Sequence, residues 1–101
     1  FYASAFYSQQ SAEKALKAAL VCRRIDFPRS HDLDLLRTLL PADCRVKTEP
    51  ADLAELTEWA VEARYPGDWP ETTPADAARA IATAEIVVEA VRQEMIGLEQ
   101  P

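Results

Sequence analysis

One uninterrupted helical stretch, residues 6–20, places the strongest constraint on the fold of this chain. It contains no Gly or Pro, and it is rich in the strong helix formers Ala, Leu, Lys, Glu and Gln. At 100° per residue its apolar side chains share one face: Ala5, Ala12, Ala15, Leu16 and Ala19. The opposite face carries Gln10, Lys14, Lys17 and Arg24. This pattern predicts a helix that packs closely against a neighbour and presents positive charge on its outer side.

Composition favours one folded domain over residues 1–101. The chain is 49% apolar and has only two glycines, which is typical of a folded helical protein. No apolar run approaches the roughly 20 residues of a membrane span, and no signal-peptide pattern opens the chain. We therefore expect a cytoplasmic protein without a membrane partner. Cys22 and Cys44 lack a CxxC spacing, so we expect no metal site and no cofactor.

Charge is distributed unevenly along the chain, which has a net charge of −6. Residues 1–49 carry eight Lys and Arg against six Asp and Glu, whereas residues 50–101 carry three against eleven. A general nucleic-acid coat protein would be basic overall. Contact with phosphate groups is therefore expected only locally, in the first half.

Turn signals divide the chain into further helices. The first helix is predicted over residues 3–24 and ends before Pro28. The second begins at Ser30 as N-cap and stops at Pro41, with its leucines facing inward. Residues 42–49 are predicted to form a loop, residues 51–64 a third helix, and residues 65–72 another loop.

The last helix has the clearest pattern. Thr73 is its predicted N-cap, Pro74 its first residue, and Asp76 the partner in a capping box. A repeating apolar seam follows: Ala77, Ile81, Ala84, Val88, Val91 and Met95. We predict an all-α, antiparallel up-and-down bundle of four to five helices. Because Phe1 is not Met and already lies in a helical pattern, we expect a first helix to be missing or truncated.

Residues 6–18, Phe-Tyr-Ser-Gln-Gln-Ser-Ala-Glu-Lys-Ala-Leu-Lys-Ala, resemble the second-helix signature of HEPN domains (higher eukaryotes and prokaryotes nucleotide-binding). His31-Asp32-Leu33, Ala63-Arg64-Tyr65-Pro66 and the last helix are similar to later parts of that family in the same order. The resemblance implies a small helical bundle, commonly a homodimer. It also implies a minimal nucleotidyltransferase partner, often in a toxin–antitoxin pair.

Some HEPN proteins are metal-independent ribonucleases that use an Arg followed, after four to six residues, by a His. Arg24 and His31 satisfy that spacing, which makes them candidate catalytic residues. A histidine can move a proton from a ribose hydroxyl, and an arginine can stabilise a charged phosphate. The alternative is that His31 lies in the first turn of its helix and forms local hydrogen bonds.

Candidate nucleotide- or phosphate-binding residues are Gln10, Lys14, Lys17, Arg64 and Tyr65. For the lysines, the alternative is a solvated face on which Glu13 pairs with Lys17. For Arg64 and Tyr65, it is a helix end that the arginine stabilises and against which the ring packs.

Three hypotheses remain open at this point. The first is a nucleotide- or RNA-associated HEPN domain that acts with a minimal nucleotidyltransferase. The second is a ribonuclease that uses Arg24 and His31. The third is a dimerisation or protein-interaction module without a ligand.

Overall fold

The computed structural model describes residues 1–48, 51–60 and 71–99. Over these ranges the chain forms five helices and no strand: α1 (Tyr2–Cys22), α2 (Leu33–Thr38), α3 (Arg45–Thr48), α4 (Leu53–Thr57) and α5 (Pro74–Glu99). The long helices α1 and α5 pack on each other most extensively, and the three short helices pack against them. The predicted all-α helical bundle is confirmed.

α1 buries the face that its alanine pattern predicts. Ala5, Ala12, Leu16 and Ala19 are all buried in the core, and Ala15 packs against it. Small side chains on this face let α5 approach closely, because the distance between packed helices depends on the side chains at the contact.

A backbone capping motif ends α1 before Pro28 is reached. Arg24 adopts a left-handed conformation with φ of 58°. The N–H of Ile25 donates to the carbonyl of Leu20, and the N–H of Arg24 donates to the carbonyl of Val21. These two bonds define a Schellman motif, which satisfies carbonyls at the helix end. The helix therefore ends at Cys22, two residues before the predicted end.

The short helices differ from the predictions in their bounds. Asp32, and not Ser30, is the N-cap of α2, because its carboxylate accepts hydrogen bonds from the N–H groups of Asp34 and Leu35. The predicted loop over residues 42–49 contains the single turn α3, whose Val46 is buried. Of the predicted third helix over residues 51–64, the described part, residues 51–60, is helical only at α4, and residues 61–64 lie outside the described ranges.

The predicted start of α5 is confirmed by reciprocal hydrogen bonds. The Asp76 carboxylate accepts from the N–H of Thr73 at 3.0 Å, and the Thr73 hydroxyl accepts from the N–H of Asp76 at 3.1 Å. The predicted apolar seam is only partly buried. Ile81 and Val88 remain 42% and 39% exposed. Three residues of α5 outside the predicted seam are buried in the core: Ala80, Val87 and Ala90.

α1 and α5 run in the same general direction. Near the start of α1, Tyr7 and Ser11 line a groove together with Ile81, whereas at the end of α1 the Arg23 guanidinium donates to Glu94. On the outer face of α1, Lys14 is exposed, whereas Gln10 and Lys17 are half-buried.

Candidate functional site

Three of the predicted residues, Gln10, Lys14 and Lys17, lie on the outer face of α1, and Arg24 lies just beyond the end of the helix; we call these four residues the cationic stripe. Lys14 and Arg24 are exposed, and no ion pair or side-chain hydrogen bond is found for either among the described residues. Gln10 and Lys17 are half-buried and hydrogen-bonded to neighbours. The stripe therefore contains two cations that are available to an anion and two polar groups that are already engaged.

A buried carboxylate, Glu13, lies beneath the stripe. Its side chain is only 7% exposed. It accepts hydrogen bonds from Gln9 Nε2 at 3.1 Å and from Lys17 Nζ at 3.1 Å, and its Oε1 lies 2.6 Å from Nδ1 of His31. We call these four residues the Glu13 cluster. Burial raises the pKa of the Glu13 carboxyl, but the hydrogen bonds from His31, Gln9 and Lys17 outweigh it and hold the pKa below its usual value.

The adjacent glutamines hold this cluster in place. Gln9 is fully buried, and its amide nitrogen also donates to the backbone carbonyl of His31 at 3.2 Å. Gln10 Nε2 donates to Gln9 Oε1 at 2.6 Å. Each hydrogen of the Gln9 amide therefore has an acceptor, and the segment before α2 is tied to the middle of α1.

The His31 ring forms its hydrogen bond with Glu13 of α1. The alternative from the sequence, in which His31 forms only local hydrogen bonds in the first turn of its own helix, is therefore wrong. It precedes the N-cap of α2, and its ring reaches a residue 18 positions earlier in the chain. A carboxylate on Nδ1 fixes the ring orientation, as in other carboxylate–histidine pairs. The side chain is 38% exposed, so the ring is not sealed in the core. No hydrogen bond joins Arg24 to His31 within the described residues.

Lys17 connects the stripe to the segment that follows α1. Its ammonium lies 6.0 Å from the centre of the Phe27 ring, within the range of a cation–π contact. Phe27, Arg24 and Val21 also border a shallow hollow of about 560 Å³ at the end of α1. Arg24 and Lys17 therefore both lie near Phe27.

A second acid, Glu94, lies at the C-terminal end of α1, and its side chain is 13% exposed. It accepts hydrogen bonds from the Arg23 guanidinium and, at 3.4 Å, from the N–H of Arg45, while the Cys44 thiol lies against it. We call these four residues the Glu94 cluster. The hydrogen bond from Arg23 lowers the pKa of Glu94, whereas burial raises that of the Cys44 thiol. This cluster joins α1, α3 and α5.

Sequence reasoning missed Glu13 and Gln9 as central residues. They lie on α1 beside the small alanines, and a buried Gln followed four residues later by Glu was the available signal. Arg64 and Tyr65 lie outside the described residues.

In the described ranges, no group of three His, Cys, Asp or Glu side chains is arranged to hold a metal ion, and both cysteines are free. None of the described helices combines the length and apolarity that a membrane span requires.

The fold and the stripe define a small all-helical domain built on two long helices that run in one direction. A family model described as HEPN domain matches residues 1–94. The chain therefore belongs to the HEPN family. Searches of curated proteins and of solved structures gave no significant match.

Proposed function

We propose that this HEPN domain binds phosphate groups of a nucleotide or an RNA on the cationic stripe and acts with a minimal nucleotidyltransferase, as half of a toxin–antitoxin pair. Membership in the HEPN family supports the ligand class. The observation that carries the proposal is the exposure of Lys14 and Arg24, with no carboxylate partner for either among the described residues. In an acidic chain, such cations form a local anion site.

The spacing of the stripe favours a strand over a single phosphate. Lys14 lies on α1, and Arg24 lies just beyond its C-terminal end, so the two cations are separated along the chain. A backbone that runs along α1 can contact both, as single strands do in positively charged grooves. Lys17 lies between them and contributes fewer free donors, because Glu13 already accepts one of its hydrogen bonds.

The test measures binding of a fluorescent single-stranded oligoribonucleotide, and thermal protection by ATP, with the full chain. The double variant Lys14→Ala with Arg24→Ala should lose most of the affinity and have a smaller salt dependence, because two phosphate contacts are removed. Arg92→Ala is the matched control, since Arg92 is exposed on α5 but paired with Glu89. Equal affinities for all three proteins would refute the proposal.

A metal-independent ribonuclease that uses Arg24 and His31 is the second candidate. One observation favours it: Glu13 orients the His31 ring through Nδ1, which leaves Nε2 to accept a proton from a ribose hydroxyl. The exposed guanidinium of Arg24 would stabilise the charge that develops on the phosphate.

The ribonuclease candidate is tested by RNA cleavage in the presence of EDTA. His31→Ala should abolish the cleavage, and Glu13→Gln should slow it, because a neutral amide orients the His31 ring less strongly than a carboxylate. Cleavage that His31→Ala leaves unchanged would eliminate this candidate. A homodimer remains a further proposal, and the sedimentation behaviour of the chain at several concentrations tests it directly.

A further inference from the structure

An apolar groove between α1 and α5 takes no part in the proposed function. Its walls are Tyr7, Ile81 and Val88, which are 67%, 42% and 39% exposed. The buried small side chains Ser8 and Ala84 form its floor, and the exposed Ser11 also lines it. The groove has a volume of about 590 Å³. Exposed apolar walls around a floor of small residues are typical of a surface that a partner covers.

The dimensions of the groove fit a helix. Ile81 and Val88 are seven residues apart on one side of α5, which is two helical turns or about 10 Å. Helices that dock in grooves use apolar anchors at this spacing. The small residues of the floor allow the backbone of a third helix to approach the α1–α5 pair closely.

The charge along the groove selects the occupant. Glu85 borders it and has no ion-pair partner among the described residues, whereas the neighbouring Glu89 pairs with Arg92. A helix with Lys or Arg beside its apolar stripe would neutralise Glu85 when its apolar side chains enter the groove.

We propose that the groove binds an amphipathic helix of a different protein, with aliphatic side chains against Ile81 and Val88 and a Lys or Arg opposite Glu85. This surface is separate from the cationic stripe, and the inference does not depend on the proposed function. The Lys14→Ala with Arg24→Ala variant should therefore keep this binding.

The experiment uses a labelled 18-residue helical peptide with Leu at every third or fourth position and Lys beside the Leu stripe. A matched peptide has Glu in place of every Lys. Fluorescence anisotropy with the full chain should show binding of the Lys peptide only. Val88→Ser should weaken it by about tenfold, as expected for the loss of a buried aliphatic contact. Glu85→Gln should weaken it about threefold and reduce its salt dependence.

Ile86→Ser is the matched control, because Ile86 is also 39% exposed on α5 but does not line this groove. It should leave the affinity within about twofold, and thermal melts of both serine variants should match the parent protein. Absence of peptide binding, equal binding of the two peptides, or an equal effect of Ile86→Ser would overturn the proposal. It would also fail if the chain alone forms a dimer that Val88→Ser dissociates, because the occupant is then a second copy.

Discussion

The Glu13 and Glu94 clusters each place one largely buried carboxylate where a long helix meets a short segment, but they differ in their partners. Glu94 bonds to an arginine, which stays charged at every relevant pH, and to a backbone N–H. Glu13 bonds to a histidine, a half-exposed lysine and a fully buried amide. The Glu94 cluster is suited to a structural role, because its arginine stays protonated. The Glu13 cluster contains a histidine, which can also donate or accept a proton.

The two clusters also differ in whether the donors have another partner when the carboxylate is removed by mutation. Arg23 has a second acidic neighbour, because Asp43 lies 3.9 Å from its guanidinium on the exposed side. Gln9 is sealed in the core and has no route to water. The comparison teaches that the stability of this domain should depend more on Glu13 than on Glu94.

The largest expected effect is the loss of stability in Glu13→Ala. We expect the free energy of unfolding to fall by roughly 3 kcal/mol, because buried donors lose a charged acceptor. Glu94→Ala should cost about 1–2 kcal/mol, since Arg23 can turn toward Asp43. Urea unfolding followed by far-UV circular dichroism measures both values.

Glu89→Ala is the control for that comparison, because it removes an exposed acid from α5 whose ion pair with Arg92 lies in solvent. Its unfolding midpoint should stay near that of the parent protein. If Glu94→Ala is the more damaging of the two cluster variants, the ranking proposed here is wrong.

Acid should remove the contribution of Glu13 to stability. The folded state holds the pKa of Glu13 below its ordinary value of 4.5, so the unfolded chain binds the proton more readily. The contribution is complete above that value and is lost as the pH falls through the lower pKa of the folded state. The difference in unfolding free energy between the parent protein and Glu13→Gln should therefore shrink below about pH 4.5. A gap that is constant over this range would contradict the assignment.

A smaller effect on stability is expected for substitutions of the neighbouring residues Arg23 and Arg24, and its sign should differ between them. Arg24→Gly should raise the free energy of unfolding by about 0.5 kcal/mol, because glycine adopts the left-handed conformation without steric cost. The same variant should weaken RNA binding, since it removes a cation from the stripe. Thermal melts and anisotropy on one preparation measure both.

Arg23→Ala provides the contrast, because Arg23 belongs to the Glu94 cluster. It should lower the melting temperature and leave RNA binding nearly unchanged. A gain of stability in Arg23→Ala, or a loss in Arg24→Gly, would mean that the two residues have been assigned the wrong roles.

The smallest expected effect is the coupling between the clusters. Positions 13 and 23 of α1 are about 15 Å apart along the axis, and the clusters share no residue. The double variant Glu13→Ala with Glu94→Ala should therefore lose the sum of the single losses to within about 0.5 kcal/mol. If the double variant is too unstable to measure, Glu13→Gln with Glu94→Gln gives the same test. A larger coupling would show that α1 transmits strain between them.

The helices were predictable from sequence because their signals are local. The alanine face of α1 and the capping box of α5 depend on residues within a few positions of each other. The bond between Glu13 and His31 was not predictable in this way, since it depends on how residues 23–32 fold back on α1. The split seam of α5 has the same origin. The heptad-like spacing groups Ile81 and Val88 with the other apolar residues of α5. Which of these residues are buried depends on where α1 packs against α5, and the sequence pattern does not give that position.

The shared direction of α1 and α5 has an electrical consequence. In the usual antiparallel pair, the moments of the peptide units largely cancel. Here helices of 21 and 26 residues point the same way, and at about 3.5 D per peptide they add to as much as roughly 160 D. The amino ends of both helices, with their partial positive charge, therefore lie toward the same end of the domain, and the partial negative charges of their carboxyl ends lie toward the other.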